Sequence, residues 1–388
     1  MLISDHLDML GVELRATHTQ TRKVNGDQIQ DRVKNTIGPW QSGRFMSLTQ
    51  RPWSVNSYAI SKVWFKCNCI DIRALDSNSV TSKVKAWIFA DLLEKPEEMI
   101  CYRPSSYGGL GLHHVKYKAL AMLIHSFLET AANPKYLHNL YHTSLYRYHV
   151  LMHRDIPDPG HPPYYSEEFF SIIRSVHQRT PLNITTMSST QWYTILLEDN
   201  ITMEVVEETE TRQYKPSRAE LASPGTDWRK TWYLARLRGL GPELQSFLWK
   251  LLHRLLPTQE RISRILKNRS SLCQLCDDQI SDDLLHTFFH CKFNAGAGTS
   301  LLNCLATHSP SITPHQVLTL NFDAEESKEL SLTWFTGQFL QNIWSARTKK
   351  KQPQLYAIRA DLEAKISLLR ETRFQNVCLQ IEEMIQNL

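Results

Sequence analysis

Cys273 and Cys276 stand two residues apart, His286 follows after nine more residues, and Cys291 after a further four. Two cysteines at that spacing put two thiols on one side of a tight turn, which is how a tetrahedral Zn²⁺ site takes its first pair of ligands. The second pair must come from a short element folded back across the first. In Leu285-His286-Thr287-Phe288-Phe289-His290-Cys291, His286 and Cys291 lie about one helical turn apart. Both can therefore face inward while Leu285, Phe288 and Phe289 pack around the metal. Cys291 is the expected fourth ligand, and His290 beside it is the alternative, which would make a His-x3-His pair. The gap from Cys276 to His286 is shorter than the roughly twelve residues of a DNA-reading finger and longer than that of a retroviral-type knuckle.

Other residues invite chemistry and do not complete it. Phe89-Ala90-Asp91-Leu92 holds one carboxylate on an expected helix, whereas two-metal chemistry needs a pair. Gly108-Gly109-Leu110-Gly111-Leu112 fits neither phosphate-cradling glycine frame and reads as a structural turn. His113, His114, His142, His149 and His153 lack nearby acidic or thiol partners and read as core or surface residues. Cys67 and Cys69, one residue apart, read as packing residues. The remaining cysteines, Cys101, Cys304 and Cys378, form no disulfide-like framework, a pattern suited to a reducing intracellular compartment.

The net charge of +5 is unevenly distributed. Between Trp228 and Ser270 the basic residues Arg229, Lys230, Arg236, Arg238, Lys250, Arg254, Arg261, Arg264, Lys267 and Arg269 face only Glu243 and Glu260, so this segment carries +8. The positive excess thus lies just before the cysteine cluster, where it could neutralise a phosphate backbone. A solvated helix face is the other reading of the same charges.

These residues are carried by helices. Ile29, Val33 and Ile37 repeat at helical spacing before Gly38-Pro39; further helices are expected over about 55–65, 82–93 and 119–134, with polar 71–79 between the first two. Pro157 to Pro163 marks a break, one or two short helices follow within 165–200, and acidic, proline-bearing 204–224 reads as a linker. Leu244, Phe247, Leu248, Leu251, Leu252 and Leu255 form the clearest stripe, closed by Pro257, after which Thr258 can cap a helix bearing Ile262, Ile265 and Leu266. A region from Ser331 to Trp344 precedes a basic run, Arg347 to Lys351. A closing helix then carries Ile358, Leu362, Ile366, Leu369, Val377, Ile381, Met384 and Leu388 as a docking face. Strand propensity is thin, so the expected fold is mainly α. No stretch reads as a membrane span or a signal peptide.

In order along the chain stand Leu10-Gly11-Val12, Ile29 with Val33, Trp40, Arg44, Ser47-Leu48, Arg51, Val55-Asn56-Ser57-Tyr58, Ser61-Lys62-Val63-Trp64 and the 108–112 glycines. This series resembles the region after the polymerase palm in reverse transcriptases of non-LTR (LINE-type) retrotransposons. The later series, Phe247-Leu248-Trp249-Lys250-Leu251-Leu252-His253, Leu256-Pro257-Thr258 and the cysteine–histidine cluster, resembles the zinc-binding domain of the same polyproteins. The resemblance implies a palm edge and thumb-like helical domain over 1–155, connecting helices and linker over 156–227, a helical module with a small zinc knuckle over 228–310, and a C-terminal helical region over 311–388. It also implies that the paired aspartates of the palm lie upstream of this chain. The expected function is therefore RNA or DNA binding without catalysis, alone or with other parts of a retroelement polyprotein. The alternatives are a polymerase subunit that needs a separate palm, and a zinc-stabilised interaction scaffold.

Overall fold

The computed structural model describes residues 6–41, 46–70, 74–132, 167–179, 183–206, 211–323, 325–370 and 375–388. The proline break at 157–163 and His142, His149 and His153 lie outside them. The protein is mainly helical, and the described strands form two two-stranded antiparallel sheets. The chain divides into two compact units: 1–46, 51–90 and 111–215 form the first, and 47–50, 91–110 and 216–388 the second.

The first unit opens with a hairpin of β1 (His6–Met9) and β2 (Val12–Arg15), in which Met9 pairs with Val12. Leu10 and Gly11 make its two-residue turn with φ of 52° and 81°, the positive dihedrals that a tight hairpin turn requires. Helix α1 (His18–Ile37) begins at Thr17, whose hydroxyl accepts from the Gln20 N–H. Buried Asn25 ties it to the hairpin by donating to the Glu13 carbonyl at 2.8 Å and accepting from the Glu13 N–H at 3.2 Å. Lys66, 1% exposed, donates to Asn25 Oδ1 at 2.8 Å and to Gln28 Oε1, and burial holds its pKa below the usual lysine value. Lys66 belongs to a helical run over 51–69 that changes pitch at the π-turn Val55–Ala59.

Helix α2 (Ala74–Ile88) starts within the stretch expected to be polar connection and ends before Phe89. The Phe89–Leu92 tetrad therefore lies in a turn rather than on a helix, with Phe89 buried and Asp91 exposed. Helix α3 (Val115–Ala132) packs on α5 (Ser189–Leu197), and its Phe127 meets Phe169 and Phe170 of α4 (Glu167–Arg179) edge to face. His113 is a core residue here: it lies 5.9 Å from the Tyr193 ring, and burial pushes its pKa down to about 4. Cys67 is buried and Cys69 exposed. Two positions along a helix rotate a side chain by about 200°, so the core can hold only one of them.

The expected linker is partly regular structure. Strands β3 (Met203–Val206) and β4 (Thr211–Tyr214) pair with Val206 opposite Thr211, since Val205 and Val206 favour an extended chain. The short helix Arg218–Leu221 follows, held by a capping box in which Ser217 and Glu220 satisfy each other's backbone N–H groups.

The second unit builds one core from Trp232 to Ile385, so residues on either side of position 310 are buried together. Helices α6 (Trp228–Leu234) and α7 (Pro242–Leu252) lead into α8 (Gln259–Ile265), which Thr258 caps through the Arg261 N–H, as the sequence led us to expect. Helices α9 (Ala295–Ala306) and α10 (Pro314–Leu318) follow, and then the long α11 (Glu326–Thr348). The single closing helix expected from the apolar stripe is two helices, α12 (Leu355–Arg370) and α13 (Gln375–Gln386), packed on each other. Breaking the stripe lets Ile358, Leu362 and Ile366 share a core with Ile381 and Met384.

Within this unit the glycine turn is a packing device. Gly108 has φ +78°, and a Cβ on Gly109 would lie 1.9 Å from the Arg103 carbonyl oxygen. The Gly108 carbonyl accepts from Trp249 Nε1 at 2.9 Å and lies 2.8 Å from His253 Nε2. His253 stacks on Trp232 at 4.6 Å and leans on Trp249 at 4.5 Å. Beneath the stack, Arg103 clasps Glu220 through two bonds of 2.9 and 3.1 Å, and Trp232 Nε1 donates to the same carboxylate.

Burial pushes the His253 pKa from 6.5 down to about 4, only partly countered by its bond to Gly108. A histidine held neutral in the fold stabilises it fully above the unfolded pKa, and that stability is lost as pH falls toward the folded value. Denaturant unfolding of the full chain should therefore weaken by roughly 2 kcal/mol as pH falls across this window. His253→Asn should be less stable at pH 7 and show a smaller change across the same range.

Candidate metal centre

The cysteine cluster is built by two turns that close on each other. After α8 the chain folds back as a small loop, with Cys273 N–H donating to Ile280 O and Asp282 N–H to Ser271 O, both at 2.9 Å. Gln279 takes φ 50° to make the bend. Cys273 and Cys276 sit inside this loop, where the Leu275 N–H also points at Cys273 Sγ at 3.4 Å. The second pair comes from a π-turn, His286–His290, in which the Cys291 N–H reaches the His286 carbonyl at 2.7 Å. That five-residue closure brings His286 and Cys291 to one side. An α-helical turn would leave them about 140° apart.

Packing fixes the π-turn. Phe288 and Phe289 are buried in the unit's core, and α9 approaches so closely that a Cβ on Gly298 would lie 2.3 Å from the Phe288 carbonyl oxygen. Asp283 Oδ1 accepts from the His286 N–H at 2.7 Å, and Asn294 Nδ2 donates to the Thr287 carbonyl at 2.8 Å.

The result is a gathering of Cys273 Sγ, Cys276 Sγ, Cys291 Sγ and His286 Nε2 within 4.8 Å of one another. Cys273 Sγ lies 3.8 Å from Cys291 Sγ, and Cys276 Sγ lies 3.4 Å from His286 Nε2. A tetrahedron with Zn–S near 2.3 Å and Zn–N near 2.0–2.1 Å has S···S edges of about 3.8 Å and S···N edges of about 3.6 Å. The two distances are opposite edges of one such tetrahedron, so the donor set fits Zn²⁺. The sulfurs are too far apart for a disulfide. His290, the alternative ligand, is exposed and is not among the four clustered residues.

The three thiols are not equivalent. Burial pushes Cys291 up to about 12, and burial also raises Cys276. For Cys273 burial acts in the same direction, but the Leu275 N–H, His286, the Cys276 N–H and Arg347 outweigh it and bring the thiol down to about 7. Cys273 is thus the readiest thiolate, and metal binding must expel the protons of the other two.

Sequence reasoning missed the groups behind the ligands. Asp282, 1% exposed, accepts from Thr287 Oγ1 at 3.0 Å, from the Gln259 N–H at 2.9 Å and from Arg347 Nη2 at 2.6 Å. Arg347, which the sequence shows only as the start of a basic run, is 8% exposed on the last turn of α11. The signal was available: Phe335, Phe339 and Ile343 precede it at four-residue intervals, so Arg347 continues a buried helical face.

The basic residues are spread over α6, the α6–α7 connection, the α7–α8 turn, α8 and the stretch just after it. Arg229, Arg236, Arg254, Lys267 and Arg269 are exposed; Lys230 pairs with Glu329 at 2.6 Å, Arg261 with Glu94 at 2.7 Å, and Arg264 with Glu260 at 2.7 Å. Arg254 takes φ 54° where the chain leaves α7. The side chain of Arg238 lies outside the described residues.

The family described as zinc-binding in reverse transcriptase matches residues 212–297, a segment that holds all four clustered residues and the basic helices. Over that segment the chain is similar to the zinc-binding domain of reverse transcriptases, which supports a reverse-transcriptase-related protein. No curated protein matches the chain. Among the described residues no helix is long and apolar enough to cross a membrane.

Metal analysis of the purified chain should find about one zinc per molecule, worth on the order of 10 kcal/mol to its local module. His286→Ala and Cys276→Ser should each lower that content severalfold, while His290→Ala should leave it and the melting curve unchanged.

Proposed function

We propose that this chain is the nucleic-acid-binding part of a non-LTR (LINE-type) reverse transcriptase, with Zn²⁺ held by Cys273, Cys276, His286 and Cys291. The observation that carries the reading is the coincidence, within 212–297, of the family match, the four-ligand cluster and the basic segment. Zinc fixes the knuckle against α8, and cationic side chains supply affinity for a phosphate backbone of RNA or DNA. Arg229, Arg236, Arg254, Lys267 and Arg269 are exposed and can do so, and Arg264 is exposed but paired with Glu260. The chain's own polymerase-like tetrad offers the single carboxylate of Asp91, so on this reading it carries no polymerase activity by itself and works beside other parts of a retroelement polyprotein. Its cysteines, none of them in a disulfide among the described residues, suit an intracellular setting.

A rival reading has one observation behind it. Lys230, Arg261 and Arg264 are already paired with Glu329, Glu94 and Glu260, as in a scaffold whose zinc is purely structural.

Salt titration of binding to a mixed-sequence single-stranded RNA separates the two. Each phosphate contact should contribute roughly −0.7 to the slope of log K against log salt. Reversing Arg229, Lys267 and Arg269 to Glu should make the slope shallower by about 2 at unchanged zinc content and helicity. The same preparation should extend no primer with Mg²⁺. Binding indifferent to salt and to the reversal would favour the scaffold, and primer extension would refute the non-catalytic reading.

A further inference from the structure

Three thiolates and a neutral imidazole around Zn²⁺ leave the centre with one net negative charge, and the Asp282 carboxylate adds a second beside it. Charges removed from water are tolerated when a counter-charge is supplied nearby. On the buried side of the knuckle that counter-charge is Arg347. Its Nη2 lies 2.6 Å from both Asp282 carboxylate oxygens and 3.9 Å from Cys273 Sγ. Lys292, paired with Asp278, lies at the exposed side.

We propose that Arg347 is a working part of the metal centre: a positioning residue that donates to the Cys273 thiolate and, through Asp282, holds the knuckle in its metal-ready form. The inference rests on the zinc assignment above and extends it to a residue of α11 fifty positions beyond the family-matched segment.

Three features distinguish this role from a simple ion pair. First, Arg347 contacts carboxylate and sulfur through the same nitrogen, so the charge sits between the two anions. Second, its Nη1 is buried without an acceptor among the described residues. That desolvated N–H is a cost, so Arg347 is held there by its Nη2 contacts to Asp282 and Cys273 rather than by satisfaction of all its own donors. Third, Asp282 links three elements at once: it binds the Gln259 N–H at the start of α8, Thr287 in the π-turn, and Arg347 on α11. Groups placed behind metal ligands in this way orient them and tune their basicity.

The consequence is that a fragment confined to the matched segment lacks part of its own metal centre. The full chain is therefore the object to test, comparing wild type, Arg347→Met and the double variant Asp282→Asn/Arg347→Met. The double variant removes both charges, so it does not strand a buried carboxylate. Zinc affinity by chelator competition should weaken roughly ten- to a hundredfold in both variants, with helicity retained in the double variant. In the Co²⁺-loaded proteins the thiolate-to-metal charge-transfer band should move to lower energy, because a sulfur that loses an N–H donor gives up its electron more readily. A double variant with wild-type affinity and an unmoved band would overturn the proposal. So would loss of helicity in the double variant at saturating zinc, since the pair would then hold the fold rather than the metal. Failure of wild type itself to bind zinc would strike the underlying assignment instead.

Discussion

Everything local to residues 258–298 depends on one requirement: four donor atoms from two short segments must meet at the corners of a tetrahedron a few ångströms across. Neither segment could hold that geometry alone. The loop carrying Cys273 and Cys276 is closed by two backbone bonds, and the π-turn carrying His286 and Cys291 is an uncommon winding that an isolated peptide would not keep. The turn persists because Phe288 and Phe289 are buried and because Gly298 lets α9 lie against its backbone. Metal binding of the order of 10 kcal/mol is comparable with the whole stability of an ordinary domain. The bonds and aromatic packing therefore have only to bring the ligands within range.

The centre does not end at its ligands. Asp282 accepts from the first N–H of α8, so the position of a basic helix is tied to the shape of the metal loop. Thr258 caps the same helix from the other side of its first turn. The metal loop therefore fixes where part of the cationic segment stands. The core then carries the constraint outward. Helix α11 contributes both Phe335, Phe339 and Ile343 to the unit's interior and Arg347 to the back of the knuckle. Helices α12 and α13 close the same core.

Much of this could be read from the sequence where a single periodicity or spacing decided the outcome. The helix ending at Ile37, the stripe from Leu244 to Leu252, the Thr258 cap and the four clustered residues all follow from local rules. What escaped was set by long-range partners. Asp282 has nothing in its neighbourhood to mark it as buried, because two of its three partners, Gln259 and Arg347, are distant in sequence. Arg347 adjoins Lys349, Lys350 and Lys351, and that run of charge hid the helical phase that buries it. The segment around Met203–Tyr214 was read by its acidic and proline content, although two short runs with β-branched residues were enough for a hairpin. The closing stripe kept a helical period across Arg370 and Gln375 while the chain divided into two helices.

The central claim is that Cys273, Cys276, Cys291 and His286 bind one Zn²⁺ as a tetrahedral set. Zinc-edge X-ray absorption of the purified full chain measures that shell directly. The account predicts three sulfurs at about 2.3 Å and one nitrogen at about 2.0–2.1 Å. A shell of two sulfurs and two nitrogens would put His290 in place of Cys291, and a shell dominated by oxygen would contradict the centre altogether.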